Sequence, residues 1–341
     1  GLHGRRPTIG DVARLAGVSE ATVSRVLNAD AGKRSAVTEA KRARVAEAIC
    51  ELDFRPSRAG QTLRTQVATV VALLIPDATN AFYGAIAHST ETALRERGYA
   101  MILCNTDEDP ELQDFYLREM QAHLVAAIVL LGAVDTVELR RVAEGTTPVV
   151  FLNRRAPEGV AGPFVGIDNY QAGRDVGAYF AERGWERVAC IHGPLSSSAS
   201  RTRYQGFLDA LLEASVSVGP DRRIPGDLTI ESGYGGMTRL LEQDDPPEAV
   251  FCGNDLMAYG AARHLGERGL SVHDDIALFG FDDNPLNAWL APWLSTVRVP
   301  HEQFGAAAAE VVVRRAANDE EARAAAPEVL LPYELEIRAS A

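Results

Sequence analysis

Apolar residues at Ile9, Val12, Ala13, Leu15 and Ala16 recur at the i, i+3, i+4 spacing of one helix face. Thr8 stands where that helix needs a cap, and Asp11, three residues on, completes a capping-box-like pair. Gly17 falls where the helix must end and the chain reverse, a position that often requires positive φ. Ser19 caps a second helix that turns Val23, Val26 and Leu27 inward and leaves Glu20, Ala21, Ser24 and Arg25 outside. Two short helices, a Gly-containing turn and a polar second face make the helix-turn-helix design, whose second helix enters the major groove of DNA. A plain αα-hairpin shares the spacing, so the pattern alone leaves both open. After a polar loop at 29–36, Thr38 caps a third helix whose Val45, Ala48, Ile49 and Leu52 close a three-helix core. Pro56 forbids that helix to continue, and Ser57 can cap a short segment running through Leu63.

From Val67 the pattern changes. Short β-branched runs at Val67–Ile75, Ala100–Cys104, Ala127–Leu131, Val149–Leu152, Val188–Ile191, Ala249–Cys252 and Ile276–Phe279 alternate with helical stretches such as Ala85–Arg97, Gln113–His123, Gln171–Arg183 and Leu256–Arg268. Such alternation specifies parallel sheets covered on both faces. The count gives two sheets, one on each side of about Asp168.

Charge sharpens the division. The 341 residues carry 34 Lys and Arg against 47 Asp and Glu, a net charge of −13, which for the whole chain argues against nucleic-acid binding. Residues 1–66 hold 12 of the basic residues and only 7 of the acidic ones, a balance of +5, leaving −18 for the rest. A basic head on an acidic body lets only the head meet phosphate. Cys50, Cys104, Cys190 and Cys252 are far apart, with no C-x-x-C and no His at metal spacing, and read as reduced buried thiols. No apolar run approaches a membrane span and no signal peptide precedes the first helix, so a soluble cytoplasmic protein is expected. No nucleophile elbow, H-E-x-x-H or P-loop occurs, and Ser196–Ser198 reads as a flexible loop. Neither enzyme activity nor a cofactor or metal is expected.

The opening segment resembles, almost residue for residue, the lac-repressor/galactose-repressor family of bacterial transcription regulators. Asp-Val-Ala at 11–13, Ala-Gly-Val-Ser at 16–19 and Thr-Val-Ser-Arg-Val-Leu-Asn at 22–28 are its signature words. The resemblance continues through Pro76-Asp77 with Asn80 and Phe82, Asp168-Asn169, Asn254-Asp255-x-Met-Ala and Gly280-Phe281-Asp282-Asp283. It implies an α/β protein in which a small all-α helix-turn-helix headpiece (1–54) and a hinge helix and linker (55–66) precede a two-lobed, periplasmic-binding-protein-like core of doubly wound parallel sheets (67–341). The lobes would comprise about 67–167 with 297–327, and 168–296 with 328–341, the chain crossing near Asp168, Thr296 and Glu328. The loop at 29–36 is roughly four residues longer than the family pattern, which costs little stability. Whether its Lys33 and Arg34 reach phosphate is left open. Gly60 replaces the usual Ala of the hinge, at roughly 1 kcal/mol of helix propensity.

The implied DNA contacts are Thr8, Ser19, Glu20, Ala21, Thr22, Ser24, Arg25 and Asn28, with Arg58 and the minor-groove wedge Leu63 from the hinge. Ala21 can accept a thymine methyl and Glu20 a cytosine amino proton, although Glu20 equally suits the helix dipole. Ligands of open parallel sheets sit at the carboxyl ends of strands, where Asp77, Asn80, Asn153, Arg154, Asn254 and Asp282 fall. The resemblance adds Arg203 from Arg-x-x-Gly and makes Arg203, Asn254 and Asp282 the strongest candidates. Phe82 and Trp289 are candidate stacking faces, and Asp255 suits either the ligand or the cap of the following helix. Amides, carboxylates and an Arg fork suit a polyol. Asn153, where many relatives carry Asp, and Leu228, where some stack an aromatic ring, favour a sugar over a purine. The expected function is a homodimeric DNA-binding regulator, a repressor, on a pseudo-palindromic operator, with operator affinity controlled by a small-molecule effector, a sugar or derivative. The alternative is a stand-alone sugar-binding receptor.

Overall fold

The computed structural model describes residues 7–27, 37–55, 68–316 and 327–341. The loop at 29–36, Asn28, Arg58, Gly60 and Leu63 lie outside the described residues. The chain divides into two compact units, residues 1–68 and 69–341.

The first unit contains α1 (Ile9–Ala16), α2 (Glu20–Leu27) and α3 (Glu39–Glu51). Thr8 caps α1 as the sequence predicts: the Asp11 N–H donates to Thr8 Oγ1 at 3.4 Å, and the Thr8 N–H donates to Asp11 Oδ2 at 2.9 Å. Gly17 ends α1 at φ +61°, ψ +43°, the left-handed region where a Cβ is costly. Val12, Ala13, Ala16, Val23, Val45, Ala48 and Phe54 form the core of this unit. Leu15, expected on the inner face, is 47% exposed. The buried stripe of α1 is therefore narrower than the apolar pattern, and Phe54, beyond the third helix, fills the remaining space.

The second unit begins with β1 (Val70–Ile75), α4 (Ala81–Glu96), β2 (Ala100–Asn105), α5 (Pro110–Ala122), β3 (Ala127–Leu130), α6 (Val137–Ala143), β4 (Val149–Leu152) and β5 (Phe164–Gly166). It continues with α7 (Asn169–Glu182), β6 (Val188–His192), α8 (Ser198–Glu213), β7 (Arg223–Pro225), α9 (Ile230–Leu241), β8 (Ala249–Cys252), α10 (Asp255–Glu267) and β9 (Ala277–Phe279). The short α11 (Asn287–Leu290), β10 (Thr296–Arg298), α12 (His301–Ala316), β11 (Glu328–Leu330) and β12 (Glu334–Glu336) complete it.

One parallel sheet runs β11-β5-β4-β3-β1-β2 and a second runs β7-β6-β8-β9. Strands β1, β3 and β4 are buried almost throughout, as expected when helices cover both faces. β10 and β12 pair antiparallel where the chain passes between the lobes. The last crossing differs from the expected Glu328: residues 328–330 pair with Phe164–Gly166 in the first-lobe sheet, so the chain leaves that lobe only after Leu330. Ser196–Ser198 is not a free loop either. Ser197 caps α8 and Ser198 is its first residue, because the Ser197 hydroxyl accepts from the Ser200 N–H.

Helices α7 and α8 approach backbone to backbone. A Cβ on Gly173 would lie 2.0 Å from the Arg203 carbonyl oxygen, and one on Gly206 would lie 2.1 Å from that of Tyr170. Only hydrogen fits there, and this contact sets the position of Arg203.

Candidate functional site

In the headpiece, Ser19 Oγ accepts from the Thr22 N–H at 3.3 Å and pairs with Thr22 Oγ1 at 2.9 Å, fixing the start of α2. Glu20, Ala21 and Arg25 are exposed along that helix, with Thr22 and Ser24 half-buried. The Glu20 carboxylate lies over Gly10, 2.9 Å from where a Cβ would stand. An anion at the first turn of α1 complements the positive helix end. A shallow concavity of about 540 Å³ beside the turn is lined by Ser19, Thr22, Arg14 and Lys41 among others. The sequence reading singled out neither cation: Lys41 reaches the turn only through the packing of α3 on α1, whereas Arg14 stands in the last turn of α1 itself.

In the core, the candidates separate by what their side chains touch. Asp77 is half-buried, and its Oδ1 accepts from the Thr79 N–H (2.8 Å) and hydroxyl (2.6 Å), which makes it the former of the turn after β1. Asn80 caps α4: its Oδ1 accepts from the Phe82 N–H at 3.0 Å and from Asn284 Nδ2 at 3.3 Å. Phe82 is 1% exposed and packs on Tyr83. Its neighbour carries the polar contact, since Arg154 donates to the Tyr83 hydroxyl at 2.9 Å. Asn153 turns the chain out of β4 at φ +62° and is buried. Arg154, also buried, meets Glu108 Oε1 at 2.9 Å. Burial works to lower its pKa, but Tyr83 and Glu108 outweigh that and hold it raised.

Arg203 reaches the same region from α8. Its Nε donates to Asn169 Oδ1 at 3.0 Å and one terminal nitrogen to the Gly253 carbonyl at 2.8 Å, while Asp282 Oδ1 lies 3.6 Å away. The guanidinium sits 3.5 Å above the centre of the Phe281 ring, a cation–π contact. Burial pushes the Asp282 carboxyl up to about 6, opposed by Arg203, and burial lowers the Arg203 pKa, opposed by Asp282. Asp282 holds φ +105°, a strained region for a non-Gly residue. Asn254 caps α10, accepting from the Met257 N–H at 3.0 Å and donating to the Leu228 carbonyl at 3.0 Å. Arg154, Arg203, Asp282 and Tyr83 thus lie within electrostatic reach of one another, at the carboxyl ends of strands of both sheets.

Two candidates are placed differently. Asp255 neither caps α10 nor stands free for a ligand: Asn254 is the cap, and Asp255 accepts from the Asn284 N–H (2.7 Å), Asn287 Nδ2 (2.8 Å) and the Thr296 hydroxyl (2.7 Å). It ties α10 to the crossing strand, and burial raises its pKa to about 8. Trp289 is 86% exposed on α11 and offers no enclosed stacking face. Sequence reasoning missed Tyr83, Asn169 and Glu108. Asn169 carried a signal, as the partner of Asp168 in the quoted pair, whereas Tyr83 is distinguished from Phe82 only by which way α4 turns.

Beside this cluster, a cavity of about 600 Å³ opens between the loops after β2, β3, β4 and β6. Among the described residues no group of three or more His, Cys, Asp or Glu could hold a metal, and no helix is long and apolar enough to cross a membrane.

A three-helix DNA-reading unit joined to a two-sheet core with polar residues at the strand ends defines a ligand-responsive regulator. Residues 8–57 match the bacterial regulatory proteins of the lacI family, and residues 68–333 match the periplasmic binding proteins and sugar binding domain of the LacI family. The chain belongs to the LacI family. It is 34% identical over 311 residues to the ribose operon repressor of Escherichia coli (strain K12), covering 90% of this chain and 92% of that one. It is also 34% identical over 317 residues to the HTH-type transcriptional repressor PurR of Proteus mirabilis (strain HI4320), covering 92% of each. A transcriptional regulator CelR–cellobiose complex matches with a TM-score of 0.72 and 31% identity over 98% of this chain and all of that one. The lac repressor dimer bound to operator and the anti-inducer ONPF shares the fold, with a TM-score of 0.84 at 24% identity over 98% of this chain and 99% of that one. The chain is therefore a DNA-binding transcriptional regulator with an effector-binding core, and its relatives are repressors rather than enzymes.

Proposed function

We propose that this regulator is a homodimeric repressor acting in the cytoplasm, whose hold on a pseudo-palindromic operator is set by a sugar-class effector bound between the core lobes. The observation that carries the effector reading is the buried Arg203–Asp282 pair facing Arg154 and Tyr83. A fork donor, a carboxylate acceptor and a phenol match the paired donors and acceptors of adjacent sugar hydroxyls. The ribose operon repressor and the cellobiose complex among its relatives support that class.

On the DNA side, Arg25 and Ala21 are the base-reading residues and Glu20 the helix-end anion, while Thr8, Ser19, Thr22 and Ser24 position the unit against phosphate. Asn28, Arg58 and Leu63 extend the proposal into residues outside those described. A two-fold dimer needs two half-sites. Ile102 and Leu103 on β2, and Trp289 and Leu290 on the second lobe, leave exposed apolar surface that a second copy would cover. Filling the cleft would favour one lobe angle over another, and coupling is the difference in effector affinity between the two dimer states.

A thermal-shift screen against sugars, sugar acids, sugar phosphates, nucleosides and amino acids tests the reading. A ligand at about 100 times its Kd stabilises by roughly 2.7 kcal/mol, and the shift should vanish in Arg203→Ala. A hit confined to nucleosides would refute the sugar class.

A further inference from the structure

Arg154 is 6% exposed, and a guanidinium so placed needs a counter-charge. Among the described residues its ion-pair partner is Glu108, at 2.9 Å. Tyr83, its other partner, is a phenol whose pKa burial raises. Glu108 is an unusual partner for a buried cation. Its side chain is 40% exposed, and it follows Asp107 on a loop where both residues hold positive φ, +51° and +56°. Both Glu108 and Arg154 line the cavity of about 600 Å³, together with Arg155, Ser198 and Arg201.

We propose that Glu108 is a built-in stand-in for an anionic group on the effector. A carboxylate or phosphate borne on a sugar-sized ligand takes over the Arg154 fork, and the Glu108 loop is released to solvent. The inference rests on the cleft reading above and narrows it to anionic sugar derivatives. Exchange of one anion for another keeps the buried guanidinium compensated, whereas a neutral ligand that displaced Glu108 would strand it. Arg is also the side chain whose planar fork suits bidentate binding of either anion. Of the cavity's other carboxylates, Asp135 is drawn off by Arg140 at 2.7 Å, while Glu158 remains on the wall. The cations Arg155 and Arg201 stand at the same wall, Arg155 shared with Glu328 and Arg201 donating to the Leu195 carbonyl at 2.8 Å.

Calorimetric titration at constant ionic strength tests this, with inorganic phosphate as the minimal probe on full-length wild type, Glu108→Gln and Glu108→Gln/Arg154→Gln. Loss of the competing carboxylate should tighten phosphate binding at least tenfold in Glu108→Gln, and the double variant should lose it. An unchanged or weaker affinity in Glu108→Gln, or phosphate binding that survives in the double variant, would overturn the proposal. Because Glu108→Gln removes the counter-charge of a buried guanidinium, circular dichroism of both variants checks that they are folded before titration. Neutral aldoses, their uronic acids and their phosphates, titrated into wild type, separate the two readings and the two anion types. Binding of a neutral aldose with failure of every charged counterpart overturns the stand-in but leaves the cleft. Silence across the whole panel in both wild type and Glu108→Gln overturns both.

Discussion

Gly173→Ala is a one-methyl change in the core unit, outside the headpiece that carries the DNA contacts, yet it should disable the effector site. The added Cβ would stand 2.0 Å from the Arg203 carbonyl oxygen and 2.9 Å from its Cα. Cβ atoms do not approach other heavy atoms within 3.0 Å, so α7 and α8 must separate by about 1 Å. Overpacking of this kind costs about 1–3 kcal/mol, or roughly 2–10 °C in Tm for a core of this size. The displacement falls on the residue whose hydrogen bonds to Gly253 (2.8 Å) and Asn169 (3.0 Å) aim its guanidinium at Asp282. A shift of about 1 Å carries both beyond hydrogen-bonding range. Scanning calorimetry and titration of the effector found by the screen would show a lowered Tm and at least a tenfold weaker effector affinity. Operator binding without effector should persist, because the headpiece is a separate unit. Unchanged Tm and effector affinity in Gly173→Ala would refute the claim that this contact sets the site.

Arg25→Ala should abolish operator binding in a gel-shift assay and leave the effector titration unchanged; loss of both in a folded variant would undo that division of labour. Gly17→Ala places a Cβ at φ +61°, at a cost of about 1–2 kcal/mol, and should lower headpiece stability and operator affinity together, as read by circular dichroism and anisotropy. Asp282 has a folded pKa of about 6 against an ordinary 3.8, so the native state holds its proton more tightly than the unfolded chain. Its contribution is therefore present below about pH 4, is lost as pH rises toward 6 and is flat above, a change of about 3 kcal/mol. The difference in unfolding free energy between wild type and Asp282→Asn should follow that course, while affinity for a hydroxyl-bearing effector rises through pH 6 as the carboxylate becomes an acceptor.

The headpiece was legible because its signals are local: the Thr8–Asp11 box, Gly17 at the reversal and Ser19 at the next cap all act within four residues. The strands of the two sheets were legible as apolar runs. β5, β7, β10, β11 and β12 were not, since each is three residues long and too short to show a pattern of its own. Helix α8 hid behind its serine-rich start, and its place is fixed by Gly173 and Gly206, whose importance emerges only when the two backbones meet. The strand-end rule pointed to Arg154 and Asp282, the resemblance added Arg203, and the fold brings the three within reach of one another. The rule could not separate Asp77, consumed by its own turn, from residues that face the cleft, nor foresee that Asp255 would be spent on Asn284, Asn287 and Thr296.

The most direct test is fluorescence anisotropy of the full chain on the DNA fragment that it selects from a random pool, before and after addition of the effector found by the screen. The account predicts a pseudo-palindromic fragment, salt-dependent binding and an affinity that changes at least tenfold when the cleft fills, a change absent in Arg203→Ala. Binding of that effector with no change in operator affinity would contradict it.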